Sequence, residues 1–247
     1  MAEIIGKRKI KLASVDSTNN YATKMVSGGG CAEGTVIVAE KQESGRGQMH
    51  NSWESESSKN ILVSIVFFPV FLPVQYQFVL SKVVALGVYE LVSLYVDNVT
   101  IKWPNDVYVG ERKIAGILIE NSIMGYTLGS TVAGIGININ QATFKGDAPN
   151  PVSLFQLLNR ELDIDVLLTI LFDAIDKWYL LLKSGNHDQI NSSYLECLYR
   201  KGVLADYSDI TGRYKGTITG ISEIGQLEIQ PEKGQLKTYH FKEVEFL

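Results

Sequence analysis

A carboxylate and an ammonium group flank a predicted turn in the segment formed by residues 99–120. Asp106 ends the run Lys-Trp-Pro-Asn-Asp, and Lys113 follows a Gly-Glu-Arg turn. Proline has no N–H and pushes the residue before it towards extended backbone, so the run predicts the end of a strand. The alternating residues around the turn predict two adjacent strands, and Asp106 and Lys113 are therefore expected to face one pocket.

Small residues after Lys113 add to the expectation of a binding site. Ala115 and Gly116 leave room for a ligand, or for another backbone, to come close to the strand. The alternative is a surface hairpin with an incidental ion pair, because such pairs are common and contribute little to stability. The rest of the chain decides between the two.

A second basic group lies in the loop of residues 40–53, where Gly45 and Gly47 flank Arg46. Glycines let backbone N–H groups approach an anion, and arginine supplies donors that stay charged at neutral pH. A phosphate-binding loop fits this pattern, and so does a solvated linker. The loop lacks the Gly-Lys-Ser/Thr of a P-loop and the third glycine of a dinucleotide fingerprint.

Two further segments favour a ligand site without excluding simpler roles. Ser17, Thr18 and Asn19 belong to a run of candidate N-caps, and their polar groups and the N–H groups of the helix that follows suit a polar ligand. An ordinary helix cap is the alternative. Small residues at every second position of residues 133–138 place one strand face against a flat or bulky group, or against a closely packed strand.

Composition bounds the class of protein. The 247 residues, 45% hydrophobic and 20% charged, suffice for one large domain or one with a small satellite. A net charge of −4 argues against a general nucleic-acid binder. Cys31 and Cys197 lack metal or redox spacing, the histidines are scattered, and the start of the chain is no signal peptide, so we expect a cytoplasmic protein with reduced thiols and no metal-ligand cluster. Pro69 and Pro73 interrupt the uncharged run of residues 60–81, which is therefore no membrane span.

Hydrophobic periodicity changes near residue 201. Before it, strands are predicted at residues 9–13, 35–39, 60–68, 107–109, 113–120 and 126–140, and helices after residue 17 and at residues 75–95, 153–159, 166–184 and 187–199. After it, short strands at residues 203–207, 212–221, 226–230 and 236–241 alternate with turn signals. This second pattern predicts a small antiparallel barrel of about 45 residues.

Together these motifs resemble those of the biotin protein ligases over nearly the whole chain. The resemblance rests on the order and spacing of the Gly-Arg-Gly loop with Trp53 after it, residues 102–106 with 113–116, and residues 134–138. It implies an α+β fold, with a mixed, class II synthetase-like sheet flanked by helices in residues 1–200 and an SH3-like barrel in residues 201–247. Some members carry an N-terminal DNA-binding domain; about eight residues precede the first strand here, so we expect a ligase without repressor activity.

The resemblance implies a reaction in two steps. The carboxylate of biotin attacks the α-phosphate of ATP in the presence of Mg²⁺, which gives biotinyl-5′-AMP and pyrophosphate. A lysine of a biotin carboxyl carrier domain then takes the biotinyl group. The implied partners are biotin, ATP and this carrier domain, with no DNA and no membrane, and the protein is expected to be a monomer or a homodimer.

The same resemblance assigns roles to residues. Arg46 and Lys113 supply positive charge for adenylation, and Asp106 orients the acceptor lysine, so these three are the expected catalytic residues. The residues expected at biotin are Ser17, Thr18, Asn19, Gln42, Gly45, Lys113, Gly116 and Gly134. Those expected at ATP or the adenylate are Arg46, Gly47, Gln48, Trp53, Asn105, Lys113 and Asn138. Magnesium is expected on the phosphates, without a dedicated protein site.

Two alternatives stay open. A lipoate ligase or octanoyltransferase of the same fold needs a tunnel for a fatty chain, and usually lacks the Lys-Trp-Pro-Asn-Asp run beside a Gly-Arg-Gly loop. A non-enzymatic binding or regulatory protein would capture biotin without cations placed for a phosphate. The presence of both Arg46 and Lys113 favours the enzyme.

The loop departs from the Gly-Arg-Gly-Arg-Arg-Gly of many biotin protein ligases. Gln48 stands where a second arginine is associated with holding the adenylate. We predict that the adenylate escapes more readily here, unless another group compensates, and that Gln48→Arg slows its release. Dissociation of labelled biotinyl-5′-AMP from the native protein and the variant measures this, and equal rates would count against the prediction.

Overall fold

The larger part of the protein is a seven-stranded mixed sheet flanked by helices, as predicted. The computed structural model describes residues 2–48, 51–146 and 150–247, so Met49 and His50 of the loop and Pro149 lie outside the described residues. The strands are β1 (Lys9–Leu12), β2 (Val36–Ala39), β3 (Ile61–Phe67), β4 (Val99–Lys102), β5 (Asp106–Val109), β6 (Arg112–Met124) and β7 (Thr127–Ile137). Their order is β1-β2-β3-β7-β6-β5-β4; β1 and β2 are parallel and the other neighbours antiparallel.

The two faces of this sheet are covered unequally. The helices are α1 (Thr18–Ser27), α2 (Phe78–Ser93), α3 (Leu154–Leu158), α4 (Ile164–Lys183) and α5 (His187–Glu196). Side chains alternate along a strand, and Val36 and Val38 join the main core with α2 and α4, whereas Ile37 joins a small cluster with Ala22 of α1. Because α1 covers only part of its face, the rest of that face is left for a cavity.

A five-stranded antiparallel sheet forms the C-terminal part, here called the C-terminal sheet. Its strands are β8 (Leu204–Asp209), β9 (Gly212–Ile221), β10 (Leu227–Pro231), β11 (Lys237–Tyr239) and β12 (Val244–Phe246), in the order β11-β10-β9-β8-β12. The sequence analysis did not predict β12, which pairs with β8. Closure into an SH3-like barrel and a boundary at residue 201 stay predictions.

The C-terminal sheet is fastened to the strand that precedes the Pro-Asn-Asp turn. The indole N–H of Trp103 donates to the carbonyl of Gly225 at 2.9 Å, and the ring meets Phe241 edge-on at 6.3 Å. Ile101 exchanges backbone hydrogen bonds with residues 197 and 199. The position of the C-terminal sheet and the position of the turn are therefore coupled.

Among the described helices, none is long and apolar enough to cross a membrane.

Lys82 is a cation buried between α2 and α5, and it generates a prediction about stability. Its ammonium donates to Asn191 at 2.8 Å and lies 5.6 Å from the rings of Phe78 and Tyr194. Burial lowers the pKa of Lys82 to about 8. Between about pH 8 and 10.5 the unfolded chain keeps a proton that the folded chain has released, so stability rises with pH through that window.

We expect Lys82→Met to raise the free energy of unfolding at pH 7 by about 1–3 kcal/mol, because it removes the cost of burying the charge. The same change should flatten the rise in stability above pH 8. Urea unfolding at pH 7 and pH 9.5 measures both effects, with the exposed Lys24→Met on α1 as the control. A destabilised Lys82→Met protein at pH 7 would show that the cation contributes more than its burial costs.

Candidate active site

A cavity of about 530 Å³ opens on the α1 face of the seven-stranded sheet. Its wall includes most of the residues predicted from the sequence: Ser17, Thr18, Asn19, Gln42, Arg46, Gly47, Gln48, Trp53, Asn105, Asp106, Lys113, Gly116 and Gly134. The chain brings them together from the start of α1, the loop of residues 40–53 and strands β5, β6 and β7. One cavity therefore unites the motifs that the sequence spreads over more than a hundred residues.

Two of the predicted residues, Gly45 and Asn138, lie outside this wall. A Cβ at Gly45 would meet the carbonyl oxygen of Trp53 at 2.5 Å, and the Gly45 carbonyl accepts the backbone N–H of Trp53 at 2.9 Å. Asn138 follows the end of β7, is buried, and donates to the carbonyl of Val152 at 3.1 Å. Both residues therefore shape the site from behind the residues that face the cavity.

A buried polar cluster forms the wall at the start of α1. The Gln42 side-chain oxygen accepts the Thr18 backbone N–H at 2.8 Å and the Thr18 hydroxyl at 3.1 Å. The Ser64 hydroxyl lies 2.8 Å from the Thr18 oxygen and 2.6 Å from the Asn19 amide oxygen. Ser17 makes no side-chain capping hydrogen bond, and Gln42 satisfies the N–H of the first helical residue, one of the four without a partner inside the helix. The sequence analysis missed Ser64, whose neighbours on β3 are all apolar.

Asp106 and Lys113, which the hairpin pattern predicted to face one pocket, form an ion pair at the cavity wall. The ammonium nitrogen lies 2.7 Å from a carboxylate oxygen, and both side chains are largely buried. Asp106 is opposite Gly116 in the β5–β6 ladder, and the Trp53 indole and the Lys113 side chain cover the sheet at Gly116. Burial raises the pKa of Asp106 above its ordinary value, and the Lys113 ammonium opposes this rise.

Arg46 reaches the same cavity from the loop. Its guanidinium lies 2.7 Å from Glu120 on β6 and donates to the Asn20 side chain at 2.6 Å. Asn19 also donates to Glu120, at 2.8 Å. The loop is thus fastened across the cavity mouth to both α1 and β6. Sequence reasoning gave Glu120 and Asn20 no role, because only the fold brings them next to the arginine.

A pair of glycines forms a flat floor on which the Trp53 indole lies. Gly116 on β6 and Gly136 on β7 are direct cross-strand partners. A Cβ on Gly116 would come within 2.9 Å of the indole, and a Cβ on Gly136 would collide with it. Among the described residues, none accepts a hydrogen bond from the buried Trp53 N–H. The indole, expected near adenine, therefore lies beside Gly116, which was expected near biotin. Gly136 was not assigned a ligand, but its strand face was predicted to lie against a flat or bulky group, and here that group is the indole.

The far wall of the cavity comes from β4 and from the C-terminal sheet. Lys102 and Tyr108 lie there with Phe241, Lys242 and Phe246. The sequence analysis assigned none of these to the site, because Phe241, Lys242 and Phe246 reach the cavity only through the docking of the C-terminal sheet.

Within residues 2–48, 51–146 and 150–247, no cluster of three or more histidine, cysteine or acidic side chains is arranged to hold a metal ion.

Comparisons with known proteins show what the chain is similar to. The model of the family described as "Biotin/lipoate A/B protein ligase family" matches residues 12–138, just over half of the chain. The Bacillus subtilis "Bifunctional ligase/repressor BirA" is 28% identical over 246 residues, which cover 96% of this chain and 74% of that protein. The Paracoccus denitrificans "Biotin--[acetyl-CoA-carboxylase] ligase" is 29% identical, over 91% of this chain and 95% of that protein.

A solved structure is similar over almost the full length. The "Biotin protein ligase from Aquifex aeolicus in complex with biotin and ATP" superposes with a TM-score of 0.81 at 25% identity, covering 97% of this chain and 98% of that one. The similarity includes the C-terminal sheet as well as the segment that the family model matches.

The contact between Gly136 and Trp53 gives a prediction. In Gly136→Ala the added methyl group must displace the indole, because the Cβ and the ring cannot occupy the same space. We expect the tryptophan emission to shift to longer wavelength as Trp53 becomes more exposed. The same substitution in a Trp53→Phe background is the control. A shift of equal size in that background would place its origin in another tryptophan and contradict the described contact.

Proposed function

We propose, on the premise that the chain belongs to the biotin/lipoate A/B protein ligase family, that its cavity carries out a two-step reaction through biotinyl-5′-AMP. The protein is a biotin ligase, in keeping with its family, its relatives and the neighbouring fold. In the first step a carboxylate oxygen of biotin bonds to the α-phosphorus of ATP and pyrophosphate leaves. In the second, a lysine amine bonds to the biotinyl carbonyl carbon and AMP leaves.

The convergence of Arg46 and Lys113 on one cavity is the observation that carries this proposal. Adenylation brings a carboxylate against a triphosphate, and fixed cations in a site with little water offset their repulsion. Lys113 stands on the rigid sheet and bonds the biotin carboxylate and the α-phosphate oxygens. Arg46 comes from the loop and adds a planar fork of donors for phosphate.

Asp106 is proposed to act in the second step. An acceptor lysine is protonated at neutral pH and must lose its proton before its nitrogen attacks. Because burial raises the pKa of Asp106, this carboxylate is a stronger base than an exposed one. Its pairing with Lys113 places the base beside the anhydride that the acceptor lysine attacks. The proposed acceptor is a lysine of a biotin carboxyl carrier domain.

The two ends of the cavity suit the two substrates. The hydroxyl and amide groups around α1 match the ureido ring of biotin, and they belong to Ser17, Thr18, Asn19 and Gln42. Gly116 and Gly134 give the fused rings of biotin a flat surface. The nucleotide is proposed to contact Gly47, Gln48, Trp53 and Asn105, with the indole leaving the glycine floor when biotin binds. Gly45 and Asn138 support these residues from behind.

Magnesium is proposed to enter with ATP. The acidic side chain beside the expected phosphate position, Asp106, is already paired with Lys113, so the phosphate oxygens supply most of the metal ligands. Bound magnesium neutralises negative charge on the phosphates.

The free thiols Cys31 and Cys197 are compatible with the proposed cytoplasmic location. Neither DNA nor a membrane is part of the proposal, and the protein acts as a monomer or a homodimer.

We expect Lys113→Ala to reduce biotin-dependent ATP–pyrophosphate exchange by about 100-fold or more, because the removed charge counts most in the transition state. Asp106→Asn is the matched variant, since it breaks the same ion pair from the other side. It should keep exchange and lose transfer of biotin to a carrier-domain lysine. Exchange that survives in Lys113→Ala would refute the role given to Lys113, and equal damage to both steps in Asp106→Asn would refute the role of Asp106 as a base.

A further inference from the structure

Lys102 is a cavity cation to which the reaction described above gives no part. It ends β4, lies opposite Asp106 in the β4–β5 ladder, and lines the cavity. Its ammonium lies 4.8 Å from the ring centre of Tyr108, 4.9 Å from that of Phe246 and 5.7 Å from that of Tyr199. It also donates to the Tyr108 hydroxyl at 3.4 Å. Three rings from different parts of the chain therefore fix its position.

Lys102 differs in its charge environment from the two cations already assigned. Lys113 and Arg46 are neutralised by Asp106 and Glu120 at 2.7 Å each. In the described part of the chain, Lys102 takes part in no ion pair of this kind. Burial lowers the pKa of Lys102, the carboxylate of Asp106 opposes this shift, and the positive charges of Arg200 and Lys113 add to it. An anion that enters this end of the cavity would offset both the burial of the charge and its repulsion by Arg200 and Lys113.

The order of the strands places Lys102 at the end of the cavity that is remote from the expected biotin position. Crossing the sheet from β7 to β4, the cavity residues run Gly134, Gly116 with Lys113, Asp106 and then Lys102. Adjacent strands are about 4.8 Å apart, so β7 and β4 are separated by roughly 14 Å. With biotin over β7 and β6 and its carboxylate at Lys113, Lys102 lies on the opposite side of the α-phosphate.

We propose that Lys102 binds the β- and γ-phosphates of ATP and then the pyrophosphate that they become. This role rests on the proposed function. As the carboxylate oxygen bonds to the α-phosphorus, the bond from that phosphorus to the bridging oxygen breaks, and the electron pair stays on the pyrophosphate. In-line displacement needs the leaving group opposite the attacking oxygen, which is where Lys102 stands. The ammonium stabilises the negative charge that grows on the leaving group.

A purely structural role is the competing explanation for this lysine. Its contact with Phe246 joins β4 to the last strand of the C-terminal sheet, and a cation held between rings contributes to stability by itself. Such a role would make every ligand of the cavity sensitive to the loss of Lys102. A phosphate-binding role affects only ligands that carry the β- and γ-phosphates. Biotinyl-5′-AMP lacks both, and this difference separates the two explanations.

The test compares Lys102→Met, which removes the charge at similar length, with Lys102→Arg, which keeps it. We expect the methionine variant to raise the KM for inorganic pyrophosphate in biotin-dependent exchange by about tenfold or more, and the arginine variant by less than about threefold. Affinity for biotinyl-5′-AMP, followed by tryptophan fluorescence, should stay within about twofold in both variants. Melting temperatures identify any variant that fails to fold.

Each outcome has one meaning for Lys102. An unchanged KM for pyrophosphate in Lys102→Met overturns the proposal. Parallel loss of pyrophosphate and biotinyl-5′-AMP affinity in both variants also overturns it, in favour of the structural role. Failure of the proposed function is recognised separately in the native protein, which would then neither catalyse the exchange nor bind biotinyl-5′-AMP. If Lys102→Met proves unfolded, loss of pyrophosphate affinity in a folded Lys102→Gln supports the role.

Discussion

Opposite charges held together in a largely buried cavity are the constraint on which the site depends. Moving an ammonium or a guanidinium out of water is costly unless a carboxylate compensates for the lost solvation. Lys113 with Asp106 meets this requirement at 2.7 Å, and the more exposed Arg46 is paired with Glu120 at the same distance. The pairs hold the cations in place, where the proposed reaction needs them for a carboxylate and a phosphate.

The fold divides the work between a rigid frame and an attached loop. The β5–β6 hairpin holds Asp106 and Lys113 through the backbone ladder, and the small residues of β6 and β7 keep the sheet surface flat beside them. The loop supplies Arg46 and Trp53, and their side chains contact Glu120 and the glycines of β6 and β7. Closure of such a loop protects a reactive anhydride from water, while the frame preserves the geometry of attack.

How far the sequence predicts this site depends on how local each contact is. One tight turn separates Asp106 from Lys113, so alternation along two short strands was enough to predict that they face one pocket. Periodicity likewise predicted the helices and most strands. It did not predict β12, a strand of three residues at the end of the chain. Ser64, Glu120 and Lys102 were not predicted, because each acquires its partner only through strand order or through docking of the C-terminal sheet. Gly45 and Asn138 belong to the recognised motifs but lie behind the cavity wall.

Acyl-adenylate formation by the native protein is the most direct test of a cavity whose cations serve a carboxylate and a triphosphate. The protein is incubated with ATP, Mg²⁺ and biotin, lipoate or octanoate in parallel, and the acyl-adenylate and pyrophosphate are quantified by mass spectrometry. The account predicts biotinyl-5′-AMP and an equal amount of pyrophosphate with biotin, and neither product with the fatty acids. Adenylation of lipoate or octanoate in preference to biotin, or ATP left unchanged with all three acids, would contradict it.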